Sequence, residues 1–261
     1  LLRRTKAPRE EQPMSQRLAV VTGGIGGLGI EICRQLALAG RRVVAADLAS
    51  RGDRIAQFET AVADLGGAVT FEPVDVADFG ACADLVRRVN AALGPIDVLV
   101  NAAGITRDGT LRKMGLEQWT SVLRVNLDGV FNMCRQVVET MCERGFGRVV
   151  NIASVNGQTG QFGQANYAAS KAGIHGFTMS MAREVARKGV TVNSVSPGYC
   201  RTALVEAIPQ AVRDEIVARI PVGRLGEPAE IARTVVFLAA DEAGFITGAN
   251  IPVNGGYFMD F

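Results

Sequence analysis

The stretch RLAVVTGGIGGLGIEICRQLALAG, residues 17–40, decides the fold. A short β-branched run enters a turn in which five of eight residues (22–29) are glycine, and IEICRQLALAG then continues at helical spacing. Glycine permits the tight turn and lets N–H groups at the helix N-terminus approach a pyrophosphate, whose charge the helix dipole also favours. Position strengthens that reading, because Asp47 closes the next strand-like run 18 residues after Gly29. A carboxylate there accepts hydrogen bonds from adenosine ribose hydroxyls and repels a 2′-phosphate. NAD(H) is therefore favoured, with NADP(H) as the alternative if Arg51 dominates the site; Arg41 and Arg42, before the strand, are expected in a solvated turn.

Working outward, RLAVVTG, RRVVAAD, AVTFEPVD, IDVLVNAAG, GRVVNIAS, VTVNSVSPG and ANIPVNGG alternate with segments of helical apolar spacing. Runs apolar on both faces, separated by helices, predict an α/β fold: a single-domain, Rossmann-like, doubly wound parallel sheet with helices on both faces. No linker, low-complexity tract or repeat divides the chain, so one domain is expected over 14–261. Residues 1–13 precede Met14 and are expected to be a leader, either an upstream extension or a short targeting or binding arm.

The chain has 261 residues, 48% hydrophobic and 21% charged, enough for a sizeable core. The leader holds four basic and two acidic residues, which is the whole of the formal charge of +2. The body is neutral, and nothing global points to nucleic acid or to an anionic membrane. No apolar run is long enough to span a bilayer, and the leader lacks the apolar centre of a secretory signal. The five cysteines form no C-x-x-C pair and are expected as reduced thiols in a cytoplasm. His175 is the only histidine, so no metal site of the histidine type is expected. It is expected to be a packed or capping side chain.

YAASK, residues 167–171, sets a phenol and an ammonium on one helical face. A phenol with a pKa near 10 is a poor acid at neutral pH, and a cation a few ångströms away lowers it by about 1 to 3 units. Tyr167 is thus expected as a proton donor activated by Lys171. Ser154, ending the VVNIAS strand, falls where doubly wound folds bind ligands, and its hydroxyl can hold a carbonyl while the tyrosine protonates it. With a dinucleotide site, these groups point to hydride transfer to a carbonyl carbon.

These residues resemble the short-chain dehydrogenases/reductases over residues 17–261. The motifs are T-G-x-x-x-G-x-G at 22–29, Asp75 in VDVAD, NAAG at 101–104, Asn126 in VNLDGVF, Ser154, YAASK and SPGYCRT following Ser196. The resemblance implies a catalytic set of Asn126, Ser154, Tyr167 and Lys171, with Asn126 positioning a water that links to Lys171. It implies a dinucleotide held by Gly23, Ile25, Gly27, Leu28, Gly29, Asp47, Asp75, Val76, Asn101, Ala102, Gly104, Tyr167 and Lys171. Pro197, Gly198 and Thr202 would close over the nicotinamide.

SVNGQTGQFGQANY, ITRDGTLRKM and NGGYFM narrow the likeness to the acetoacetyl-CoA reductase branch of that family, which serves polyhydroxyalkanoate synthesis. This implies reduction of a short 3-oxoacyl-CoA to the (R)-3-hydroxyacyl product, with Asp108, Lys113, Gln161, Phe162, Gln164 and Tyr199 around the acyl-CoA. Arg112 and Lys113 are candidates for the coenzyme phosphates. A 3-oxoacyl-carrier-protein reductase or another small-ketone reductase shares the same catalytic groups, and a non-catalytic NADH-sensing module is the reading from a different class. The resemblance also implies a homotetramer formed through helices covering 120–143 and 165–187 and through the C-terminal region.

Overall fold

Each of the seven expected runs forms a strand: β1 (Leu18–Thr22), β2 (Arg42–Asp47), β3 (Val69–Pro73), β4 (Val98–Asn101), β5 (Gly147–Ile152), β6 (Val190–Pro197) and β7 (Asn250–Val253). The computed structural model describes residues 16–259, so the leader and the first two residues of the expected domain lie outside the described residues. All neighbouring pairs are parallel, in the order β3-β2-β1-β4-β5-β6-β7. Every residue of β1, β4, β5 and β6 is buried, as continuous aliphatic runs in a sheet covered on both faces must be.

The connecting helices are α1 (Gly27–Leu38), α2 (Gly52–Val62), α3 (Phe79–Leu93), α4 (Leu116–Leu123), α5 (Gly129–Arg144), α6 (Asn156–Thr159), α7 (Ala165–Val185), α8 (Ala203–Glu206), α9 (Gln210–Ala218) and α10 (Pro228–Leu238). Local chemistry sets several of their ends. Asp78 caps α3 by accepting from Ala81 N at 2.9 Å, and Glu230 reaches back to Glu227 N at 2.8 Å where Pro228 opens α10.

Alternate strand residues divide the core into two layers. Val20, Leu99, Val149 and Val192 pack with Leu85, Met133 and Ile174 of α3, α5 and α7. Val21, Val100, Val150 and Val195 pack on the other face with Ile32, Leu36, Ile231 and Leu238 of α1 and α10. Each such side chain contributes about 1.5 to 3 kcal/mol by burial.

The first layer turns polar at the C-terminal end of the sheet. Thr22, Asn101, Asn151, Ser194 and Asn250 stand in register across five strands. Asn101 Nδ2 donates to Asn151 Oδ1 and Asn151 Nδ2 to Thr178 Oγ1, both at 2.9 Å, while His175 Nδ1 lies 3.2 Å from Ser194 Oγ. This row fixes the roll of α7 against the sheet. Directional bonds specify one orientation where apolar packing alone tolerates several. Arg41 departs from the solvated turn expected of it: it is buried at the opposite end of β2 and donates to the carbonyl of Ala239 at the end of α10 at 2.8 Å.

Candidate active site

The strand order reverses between β1 and β4, and the crevice beyond their C-terminal ends is where this topology binds ligands. The glycine turn lies there. Gly23 has φ +66°, and a Cβ on Gly29 would fall on the Gly23 carbonyl oxygen. Only glycine lets the helix start fold back so tightly. A Cβ on Gly27 would meet Thr202 Cγ2 at 3.3 Å, so the segment expected to close over the nicotinamide does approach this turn. Ile25 is buried and Leu28 packs against the second core layer.

Asp47 ends β2 and is 7% exposed. Its Oδ1 accepts from Leu48 N at 2.8 Å and lies 3.6 Å from Arg51 Nη1. Its Oδ2 is buried with no partner. A carboxylate oxygen out of water without a donor costs free energy, and a ribose hydroxyl supplies that donor. Together with the glycine cradle, this shows that the residues fit an adenosine dinucleotide. Asp75 is tied by Oδ1 to Ala77 N at 2.9 Å, and the Val76 carbonyl accepts from Asn132 Nδ2 at 2.8 Å. Asn101 turns its side chain into the polar row, toward Asn151 and the Cys134 sulfur, so what it offers a cofactor channel is backbone. Ala102 N and Ala103 N both donate to Thr22 Oγ1. A Cβ on Gly104 would stand 3.5 Å from Asn126 Oδ1 and 3.6 Å from Lys171 Nζ.

Ser154, Tyr167 and Lys171 converge on the same end of the sheet. Ser154 Oγ accepts from Asn156 N at 3.1 Å, and Lys171, 4% exposed, donates from Nζ to the Ile152 carbonyl at 2.7 Å. Nζ lies 5.8 Å from the centroid of the Tyr167 ring. The expectation that Tyr167 sits below its ordinary pKa is corrected here. Burial pushes the phenol above its ordinary value, against the hydrogen-bonding effect of Ser154, and the Asp108 carboxylate adds to the rise. Burial also drives the Lys171 ammonium down to about 8 and lowers His175, beside which the Lys171 charge sits.

Asn126 lies in a π-helical turn, Arg124–Asp128, with Gly129 N bonded back to Arg124 O. Both ends of its amide are engaged: Oδ1 accepts from Ile105 N at 2.8 Å, and Nδ2 donates to Ile105 O at 3.0 Å and Ser170 Oγ at 3.1 Å. The side chain brackets the loop after β4 within this widened turn.

The glutamine loop packs directly on the catalytic helix, since a Cβ on Gly157 would lie 2.8 Å from the backbone of Lys171 and Ala172. Gln164 is committed on both sides of its amide: Nε2 donates to Asp108 Oδ2 at 3.0 Å and Oε1 accepts from Asn156 Nδ2 at 2.9 Å. Gln161 and Phe162 are exposed, Phe162 at 86%. Lys113 and Arg112 are exposed on the facing loop, and Gly109 N joins the two loops through Gly163 O at 2.8 Å. Tyr199 packs edge-on against Tyr257, ring centroids 5.6 Å apart, and lines a cavity of about 120 Å³ with Ile220, Val222 and Val253.

Sequence reasoning did not single out Thr22, Asn156, Asn166 or Ser170, although each lies inside or beside a quoted motif. For Asn166 the signal was an amide in the first turn of a helix, where unpaired N–H groups need acceptors. Cys82, Cys134 and Cys200 are raised to about 12 by burial, so these thiols stay protonated. Among the described residues, no group of three or more His, Cys, Asp or Glu side chains is placed to hold a metal ion.

Residues 23–258 match a family described as enoyl-(acyl carrier protein) reductase. The chain is 53% identical over 243 residues to a protein of Allochromatium vinosum named acetoacetyl-CoA reductase, covering 93% of this chain and 99% of that protein. It is 54% identical over 244 residues to one of the same name from Shinella zoogloeoides, with coverage of 93% and 99%. Identity to a 3-oxoacyl-[acyl-carrier-protein] reductase of Haemophilus influenzae is 39% over 246 residues, covering 94% of this chain and all of that one.

Proposed function

The chain belongs to the short-chain dehydrogenase/reductase family, and on that premise we propose that it reduces acetoacetyl-CoA to (R)-3-hydroxybutyryl-CoA with NADH. The observation that carries the reading is the meeting, at one end of the sheet, of buried Ser154 and Lys171 with Tyr167, beside the glycine turn and the unpartnered Asp47 oxygen. Relatives named acetoacetyl-CoA reductase, above 50% identical, supply the substrate.

Gly23 to Gly29, Asp47 and the 101–104 segment would hold the dinucleotide, which when bound supplies the hydride to the carbonyl carbon. Ser154 donates its hydroxyl to the carbonyl oxygen. Tyr167 then gives its phenolic proton to that oxygen, the C=O π pair becoming the new O–H bond. Burial raises the phenol pKa and so weakens Tyr167 as an acid, which a charge on Lys171 has to offset as the proton leaves. The Lys171 ammonium stabilises the phenolate left behind. Asp47 favours NADH, since a 2′-phosphate would face its carboxylate, with Arg51 as the nearest compensating cation. Arg112, Lys113 and Phe162 are exposed on two loops joined by Gly109 N and Gly163 O, and they offer charge and apolar surface suited to a coenzyme A arm.

The second reading, a carrier-protein substrate, is favoured by the Haemophilus influenzae relative. Assays with acetoacetyl-CoA and acetoacetyl-carrier protein, each with NADH and NADPH, separate the two. Higher kcat/KM for the carrier thioester overturns the coenzyme A assignment.

Exposed apolar groups support a homotetramer. Phe79 and Phe131 stack at 6.2 Å while each remains 48% exposed, Met179 is exposed on α7, and Phe237 and Phe245 are exposed near the C-terminus. Sedimentation giving a monomer rejects it. Five free thiols suit a reducing cytoplasm, and no helix among the described residues is long and apolar enough to cross a membrane.

A further inference from the structure

Asn166 stands between the proton donor and the loop after β4, and its side chain is completely buried. Its Oδ1 accepts the N–H of Tyr167 at 2.8 Å. Its Nδ2 donates to the carbonyls of Arg107 and Gln118, each at 3.0 Å. The orientation of the amide is unambiguous, because only the nitrogen can donate and only the oxygen can accept from a backbone N–H.

Tyr167 N lies in the first turn of α7, where the helix supplies no acceptor. Asn166 supplies it and at the same time ties that turn to two other elements. The loop is held elsewhere by Asn126 at Ile105, by Gln164 at Asp108 and by Gly163 at Gly109. Of these anchors, Asn166 alone bonds the backbone of the tyrosine itself. None of its bonds reaches the glycine turn or Asp47.

We propose that Asn166 is a positioning residue for proton transfer, locking the backbone of Tyr167 to the Arg107–Asp108 segment so that the phenol meets a carbonyl held against that loop. The inference rests on the reading of Tyr167 as the acid. A displacement of about 1 Å in such a group costs on the order of 10²-fold in rate, so the tie is kinetically large even if it is small for stability.

The test uses the full chain with Asn166→Ala, Asn166→Asp and, as reference, Tyr167→Phe. It measures kcat and KM for acetoacetyl-CoA at saturating NADH, the NADH dissociation constant by nicotinamide fluorescence, and Tm. Asn166→Ala should lose on the order of 10²-fold in kcat while KM and NADH affinity change by less than about threefold. Asn166→Asp keeps the acceptor for Tyr167 but sets a carboxylate against two carbonyls, which raises its pKa. Its rate should therefore recover as pH falls and the carboxyl gains a proton to donate, a rescue that the parent enzyme does not show. Asn166→Ala retaining more than about a third of the kcat overturns the proposal. So does a ratio of Asn166→Asp to parent rate that ignores pH, which decides the matter if Asn166→Ala fails to fold. If Tyr167→Phe itself stays active, the acid assignment falls instead, and with it the premise.

Discussion

Lys171 donates to the carbonyl oxygen of Ile152 at 2.7 Å, joining a helix cation to the last residue of β5. Ser154 follows that carbonyl by two residues, so one strand end places both the Ser154 hydroxyl and the Lys171 cation. The lysine is anchored by the sheet, with Nζ 5.8 Å from the centroid of the Tyr167 ring.

That anchoring gives a pH prediction. Burial disfavours the charged form, so the ammonium is intact below about 8 and is lost as pH rises through that value. Reduction leaves a phenolate that needs the charge, so kcat at saturating NADH should be flat on the acid side and fall above about 8. Lys171→Arg, permanently charged, should remove this alkaline limb from any activity it keeps. A parent profile flat to about pH 10 rejects the role.

Tyr167→Phe removes the phenolic proton and leaves the glycine turn and Asp47 untouched. Ketone reduction should drop by about 10² to 10⁴, with NADH binding retained. More than about a tenth of the parent rate would remove Tyr167 from the mechanism.

Asp47→Ala should narrow the preference for NADH over NADPH, because it deletes the carboxylate that faces a 2′-phosphate and frees Arg51, 3.6 Å away. The ratio of kcat/KM for the two cofactors is the measurement. A parent enzyme already preferring NADPH would show that Arg51 governs the site.

The two glutamines should separate. Gln161 is exposed and free to meet substrate, so Gln161→Ala should cost acetoacetyl-CoA about 0.5 to 1.5 kcal/mol in kcat/KM, relative to a small unconjugated ketone. Gln164 holds Asp108 and Asn156, so Gln164→Ala should lower kcat/KM for both substrates. Equal behaviour of the two variants across both substrates contradicts this division.

Gly29→Ala places a Cβ on the Gly23 carbonyl oxygen. The turn must open to admit it, so NADH binding should be lost before the sheet unfolds. Unchanged NADH affinity by calorimetry would show that the turn has slack.

Much of this protein was determined by sequence alone. The seven strands, their alternation with helices and the glycine turn are local patterns, and a doubly wound parallel sheet follows from them, whereas the strand order with its β1–β4 reversal came from the folded structure. The spacing of Tyr167 and Lys171 is likewise a property of one helix.

Tertiary structure decided what these groups experience. Gln164 meets Asp108 across 56 residues of chain, Asn126 meets Ser170 across 44, and Arg41 finds the end of α10 across 198. No local pattern encodes such partners, because hydrogen-bond pairing depends on which distant segments the fold brings within 3 Å. The same holds for the phenol and the ammonium: spacing on the helix predicted a lowered Tyr167, whereas burial raises it and lowers Lys171. Desolvation is set by everything packed around a side chain, and that exists only once the chain has folded.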